Sequence, residues 1–294
     1  MRWFSAFAVA VLAVVCSCPA AAYDFTVDGI YYSINRSFMG GVSVCACEGK
    51  EYQGDIVIPE QVVYNGTTYE VRGIDYEAFN WCKSLRSVKL PNTIRVISEA
   101  AFFGCTALTN IELPSSLESI DNHAFCYAGL KSVVLPNSVT FLGYACFGGC
   151  PIESIVVEEG SEFDSRGGCN AIIYGEPGFY TELVVGCKTT VIPQSVEKIT
   201  NYAFKGCKGL ETIEIPEGVT YIGEYAFYDC TDLKRIVIPA SVEEIDDNAF
   251  EGCTSLTEVV IKGHPEMGDD VFKDCPNLRT KPSGKITFRD RSNY

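Results

Sequence analysis

Histidine is almost missing from this chain: His123 and His264 are the two among 294 residues. One stands ahead of Ala124-Phe125, where other rungs put Glu77, Ala100, Tyr144, Tyr202, Tyr225 and Asn248, a tolerant column read as a surface one; the other is in a turn-like Gly-His-Pro, far apart in the chain. Neither a shared metal nor a His-assisted nucleophile can be built from them. Basic charge is also scarce, with 23 Lys and Arg against 38 Asp and Glu and a formal net charge of −15. Nucleic acid and anionic membrane surfaces require a basic footprint, so both are excluded as partners. Past the amino terminus, no apolar run approaches the roughly 20 residues of a spanning helix, so no transmembrane segment is expected. A phosphate-cradling glycine loop is lacking too, because Gly40-Gly41, Gly148-Gly149 and Gly167-Gly168 read as turns. Acidic pairs such as Glu243-Glu244 and Asp246-Asp247 are adjacent rather than opposed across a cleft. These absences leave no candidate catalytic, cofactor-binding or metal-ligating residue, and the chain is not expected to be an enzyme.

What the chain has in abundance is one repeated phrase. Ala203-Phe204 to Ile222 and Ala226-Phe227 to Ile245 read as A-F-x-x-C-x-x-L-x-x-I-x-I-P-x-x-V-x-x-I, and Ala249-Phe250 to Ile261 as the same phrase up to the proline with Val259 at its first I, the phenylalanines 23 residues apart. A period of that size marks stacked supersecondary units, each unable to fold alone. In Leu210-x-x-Ile213-x-Ile215-Pro216 the alternating isoleucines point to one face of a short strand. Proline then ends the strand, having no N–H for the ladder. Val219 and Ile222 form a second inward pair, and Ala226-Phe227 returns the chain with the ring in the core.

Earlier units keep the frame: Phe79 and Phe102 are 23 apart, and Phe125 and Phe147 follow at 23 and 22. Two stretches break it. Between Pro59 and Pro91 an Asn65-Gly66 turn predicts a hairpin of Val62–Tyr64 with Thr67–Tyr69. Between Phe147 and Phe204, which lie 57 residues apart, Ala171–Tyr174 and Glu182–Val185 predict a second hairpin projecting from the stack. Insertions of this kind are common carriers of function.

The amino terminus reads as a secretory signal peptide: Arg2, an uncharged run from Phe4 to Val15, and Ala20-Ala21-Ala22 as the cleavage site, cut after Ala22. The rival reading is a lipoprotein modified at Cys18; a cysteine two residues before the modified one disfavours it. The segments are then 1–22 signal peptide, 23–59 a β-hairpin cap with an Asp28-Gly29 turn, 60–278 the repeat array with the inserted hairpin at about 158–190, and 279–294 a closing segment. Localisation is expected outside the cytoplasm, in the medium or the cell envelope.

Fifteen cysteines are the other excess, thirteen of them beyond residue 22. An odd count cannot pair fully within one chain. Cys82, Cys105, Cys150, Cys207, Cys230, Cys253 and Cys275 each follow a repeat phenylalanine by three residues. Stacking places them in a column whose parallel Cβ vectors oppose bridging, so they are read as buried thiols and weak donors to loop carbonyls. No C-x(2–4)-C pairing suits zinc. A bridge from Cys169 to Cys187 across the inserted hairpin stays open.

The motif L-x-x-I-x-L-P-x-x-V-x-x-I-x-x-x-A-F-x-x-C resembles the BspA-type leucine-rich repeat over roughly Ile56 to Leu278. Tyr23–Tyr32 and Asp164–Ile173 are similar to segments of such proteins from Gram-negative gut and oral anaerobes. The resemblance implies a β-rich leucine-rich-repeat solenoid, of the α/β solenoid class with little helix, curved and forming a single stack. It also implies no catalysis, no cofactor, and adhesion to host matrix proteins or bacterial surfaces.

Outward strand positions are the candidate contact surface. Val134, Val156, Val191, Val237 and Val260 occupy five of eight such positions, the others being Lys89, Glu112 and Glu214. β-propensity and cross-strand pairing explain a valine row as readily as a partner does. Tyr144, Tyr202, Tyr225 and Tyr228 form a second candidate on the returning edge, suited to protein or to stacking on sugars. A protein partner is the first expectation and a glycan the alternative, with a structural component of an envelope assembly as a third.

Overall fold

In the structure, a computed structural model, residues 23–34, 41–47, 51–279 and 287–288 are described. The proposed signal peptide and most of the closing segment lie outside them. Helix among the described residues amounts to a 3-10 turn at Arg166–Gly168, and the rest is strand and turn, a β-solenoid as the repeat requires.

The cap is built by turn chemistry. Asp28 and Gly29 take φ of 50° and 79°, which the tight turn between Phe25–Val27 and Ile30–Ser33 needs. Val42–Val44 pairs antiparallel with the second of these strands and parallel with Thr67–Ile74, which ties the cap to the stack. The Asn65-Gly66 hairpin forms between Gln61–Tyr64 and Thr67–Ile74, with φ of 48° and 76° at the turn.

Each regular rung supplies two strands. The first is Thr212–Glu214, Arg235–Ile238 and Glu258–Ile261 in successive rungs, the first two closed by Pro216 and Pro239, and these pair in parallel with Ile213 opposite Ile236 and Ile236 opposite Val259. The second is shorter, as in Tyr221–Ile222 and Glu244–Ile245. Between them runs the phenylalanine column. Phe204, Phe227 and Phe250 stack with ring centroids 4.9 Å apart and planes within 4°, and Phe79, Phe102, Phe125 and Phe147 stack likewise at 4.9 to 5.4 Å. Burial of these rings and their aliphatic neighbours is the main driving force of the fold.

The returning segment has a requirement invisible in the hydrophobic pattern. Residues two before the phenylalanine and two after it adopt left-handed φ: Tyr202 at 62° and Gly206 at 64°, Tyr225 at 54° and Asp229 at 55°. Such conformations cost a side-chain-bearing residue about 1 kcal/mol or more, and alternate N–H groups thereby reach the next rung. Phe204 N–H donates to Ala226 O at 2.7 Å and Phe227 N–H to Ala249 O at 2.7 Å. This also corrects a register: the residue equivalent to His123 in the next rung is Ala145, with φ 50°, and not Tyr144. Nor is the column simply a surface one, since His123 is half-buried.

The cysteine column serves these returns. Thiols of Cys105, Cys150, Cys230, Cys253 and Cys275 donate to the carbonyls of Phe79, Phe125, Phe204, Phe227 and Phe250 in the preceding rung, at 2.9 to 3.2 Å. Burial pushes the thiols of Cys105, Cys230 and Cys207 up, the last to about 12. Every described cysteine is free, Cys169 and Cys187 included, so no bridge crosses the insertion; the Cys187 thiol turns to Asn170 O at 3.4 Å. A hydroxyl column does similar work: Thr93, Ser116, Ser138 and Ser241 donate to carbonyls one rung back, at 2.6 to 2.8 Å.

The inserted hairpin does not simply project. Its strands, Ile172–Glu176 and Tyr180–Val185, cross the stack as a partition. Ile172 and Ile173, adjacent in the strand, face opposite ways, and a register shift between them sets Ile172 opposite Val185 and Ile173 opposite Leu183; the first pair joins the amino-terminal core and the second the carboxy-terminal one. Only the tip stands out, with Phe179 at 86% exposure.

Candidate partner-binding surfaces

All five valines of the outward row lie on the expected face. Val134, Val156 and Val191 are 52%, 49% and 71% exposed, whereas Val237 and Val260 are half-buried. Val134 is opposite Val156, and Val237 opposite Glu214 and Val260. The row is not continuous. Between the rungs of Val156 and Val191 the Asn170 side chain is inserted: its Oδ1 accepts the Ile155 N–H at 2.6 Å and its Nδ2 donates to Glu153 O at 2.9 Å. Val191 N–H is bound instead to Cys169 O at 3.0 Å. The valines therefore form two patches, flanked by exposed cross-rung ion pairs such as Lys188 with Glu153, Lys234 with Glu211 and Arg235 with Glu258. A shallow groove of about 540 Å³ beside Val237 is lined by Glu214, Glu217, Arg235 and Lys262.

The four candidate tyrosines do come together. Tyr202 and Tyr225 stack at 5.1 Å with planes 15° apart, Tyr228 meets Tyr225 edge-on at 5.3 Å, and Tyr144 is tilted toward Tyr202 at 6.2 Å. Three residues outside the candidate tyrosines complete the cluster, Lys205, Tyr127 and His123. Lys205 Nζ lies 5.2 Å from the Tyr202 ring, 5.5 Å from that of Tyr228 and 6.0 Å from that of Tyr127, a cation over aromatic faces. His123 meets Tyr202 edge-on at 6.1 Å. Burial pushes the Tyr202 and Tyr127 hydroxyls up to about 12 and depresses the His123 imidazole, with Lys205 adding to the latter effect.

This edge exists because the insertion is excluded from it. Gly149 N–H donates to Lys205 O at 2.6 Å, so rungs separated by 57 residues of phenylalanine spacing touch directly. The signal was available in part: Lys205 follows the repeat Phe204, in the same frame as Tyr228 after Phe227. Which rung it would face was not.

Among the described residues no group of three or more His, Cys, Asp or Glu side chains is placed to hold a metal, and no helix is long and apolar enough to cross a membrane.

The model of the "BspA type Leucine rich repeat region" matches residues 61–165 and 179–288, in six copies. No curated protein matches. Solved structures similar to the chain include a leucine-rich repeat protein from Eubacterium ventriosum, 20% identical with a TM-score of 0.58, covering 85% of this chain and 74% of that one. A leucine-rich cell surface protein from Faecalibacterium prausnitzii is 20% identical with a TM-score of 0.49, over 94% of this chain and 97% of that one. A leucine-rich repeat protein from Bacteroides ovatus is 24% identical with a TM-score of 0.49, over 87% and 81%.

Proposed function

The chain belongs to the BspA-type leucine-rich repeat family, and on that premise we propose that it is a secreted or cell-surface binding protein without enzymatic activity, engaging a protein of the host matrix or of a bacterial surface. The observation that carries this reading is the set of outward valines at the amino-terminal and central rungs. Three large apolar side chains, 49% to 71% exposed, interrupt a strongly charged surface without contributing to the core. Exposed apolar groups gathered on one face favour a contact role, and a charged border around an apolar centre is the usual make-up of a protein interface.

The test is capture of matrix proteins and bacterial envelope proteins by residues 23–294, compared with the double substitution Val156→Asp and Val191→Asp. Both positions are exposed, so the variant should fold with an unchanged thermal midpoint and lose most of its captured partners. Unchanged capture by a folded variant overturns the valine surface.

A glycan is the second reading, favoured by the parallel Tyr202 and Tyr225 rings with Lys205 beside them. Flat aromatic faces of this kind stack on sugar rings. A glycan array probed with the protein and with Tyr225→Ala separates the two: signal dependent on Tyr225, with capture independent of Val156 and Val191, assigns recognition to the tyrosine edge.

A further inference from the structure

The second-strand sheet is interrupted, and the interruption leaves main-chain acceptors open. In every regular rung two carbonyls of this strand accept N–H groups from the rung that follows. Arg95 O binds Glu118 N–H, and Glu118 O binds Thr140 N–H; Ile97 O binds Asp121 N–H, and Ile120 O binds Gly143 N–H. The series resumes beyond the insertion, with Thr181 O bound by Glu197 N–H and Leu183 O by Thr200 N–H. Between these, at the strand Phe141–Leu142, it fails. That strand pairs on one side with Ser119–Ile120 and on the other with nothing, and the Thr140 and Leu142 carbonyls accept no hydrogen bond among the described residues.

An open strand edge is ordinarily shielded or twisted away. Here it faces a cleft of about 280 Å³ whose far wall is the inserted hairpin. Phe141 at 52% exposure and Tyr174 at 39% stand at its walls, with Leu142 and Val184 also lining it. One charged residue lines the cleft, Glu182. Its carboxylate accepts the Tyr180 hydroxyl and makes no ion pair among the described residues, and Lys198 beside it lies over the Tyr180 ring instead, at 4.8 Å.

We propose that this cleft takes an extended segment of a partner protein, apolar at alternate positions and carrying a basic residue, which adds as a strand to the open edge of Phe141–Leu142. The two free carbonyls are two residues apart, the spacing at which alternate N–H groups of an extended chain present themselves. Strand addition gives affinity through the main chain and selectivity through side-chain pockets. The apolar walls accept the inward side chains, and the Glu182 carboxylate, bound to the Tyr180 hydroxyl but in no ion pair among the described residues, selects a cation over an anion on an acidic molecule. The site is separate from the valine patches and does not rest on their role.

The experiment is selection of displayed random linear peptides on the whole protein, with counter-selection on Phe141→Arg. Phe141 is exposed, and circular dichroism checks that the variant folds. Enriched peptides are synthesised and their binding is measured by fluorescence polarisation. The expected peptides alternate apolar residues with Lys or Arg. N-methylation at the two N–H groups facing Thr140 and Leu142 should weaken them about tenfold or more, the loss of two hydrogen bonds, and Glu182→Gln should weaken them several-fold. The proposal is overturned if nothing is enriched over the Phe141→Arg variant, or if methylation at every amide is tolerated alike. It is also overturned if sedimentation shows a dimer that Phe141→Arg dissociates, which would give the edge to a second copy of the chain.

Discussion

The stacks on either side of the partition are built from the same interior and present different exteriors. Phe102 lies between Phe79 and Phe125, and Phe227 between Phe204 and Phe250, with the same ring spacing to within 0.2 Å. Outside, the amino-terminal stack exposes Trp81, Val134, Phe141, Tyr144 and Val156. The carboxy-terminal stack instead carries the stacked Tyr202 and Tyr225, while ion pairs occur on both, such as Arg86 with Asp55 and Lys234 with Glu211. Rung-to-rung contact thus constrains the inward letters and leaves the outward ones free, as expected of a quasi-one-dimensional array. What differs mechanically is the end of each stack at the partition. Phe147 has a ring partner on one side. Phe204 lies against Gly186, where a Cβ would come within 2.1 Å of its ring.

The largest effect should come from the middle of a stack. Phe227→Ala removes a ring held on both faces and should cost about 3 to 5 kcal/mol. Phe147→Ala should cost less. Equal losses in thermal or denaturant unfolding would break the distinction between interior and end rungs.

A smaller effect tests the partition itself. Gly186→Ala forces the Phe204 ring or the hairpin backbone to move, and overpacking of this sort costs about 1 to 3 kcal/mol. Gly186 is not in the left-handed region, so the loss measures the clash and not backbone strain. A Gly186→Ala protein as stable as the wild type would mean that the Phe204 contact is soft.

The smallest concerns pH. Burial lowers the His123 pKa in the folded protein, so the unfolded chain binds the proton more readily. The stability contributed by His123 is therefore present above the unfolded value, about 6.5, and is lost as pH falls through the lower folded value. Unfolding midpoints compared between pH 7.5 and 5.5 should drop slightly more for the wild type than for His123→Phe. An identical drop would place His123 in ordinary solvent.

Much of this was legible in the chain. Phe, Cys, Pro and the paired aliphatic letters recur in register, and each recurrence has one physical reading: an inward ring, a buried donor, a strand end, an inward strand face. The Asp28-Gly29 and Asn65-Gly66 turns were equally plain, since few residue pairs accept positive φ in succession. Less legible was the left-handed return. Glu77, Ala100, His123, Ala145, Tyr202 and Tyr225 share a backbone conformation and no side-chain chemistry, so the column passed for a tolerant surface and Tyr144 was aligned with it in place of Ala145. The inserted hairpin is legible as the strands Ala171–Tyr174 and Glu182–Val185, but the register shift that accompanies Leu183 and Val185 in different cores has no signature in the spacing.

By itself the sequence determined the solenoid, its rung length and its interior columns, because contacts at a constant separation must repeat when their residue types repeat. Tertiary structure alone decided what the partition brings together and what it leaves open. It seats Asn170 between Val156 and Val191, sets Lys205 against Gly149 so that Tyr144 meets Tyr202, and leaves the Thr140 and Leu142 carbonyls without donors among the described residues. The physical reason is that an aperiodic segment can enter a stack on one side and be excluded from the other, and the choice depends on how its two faces pack, which no spacing encodes.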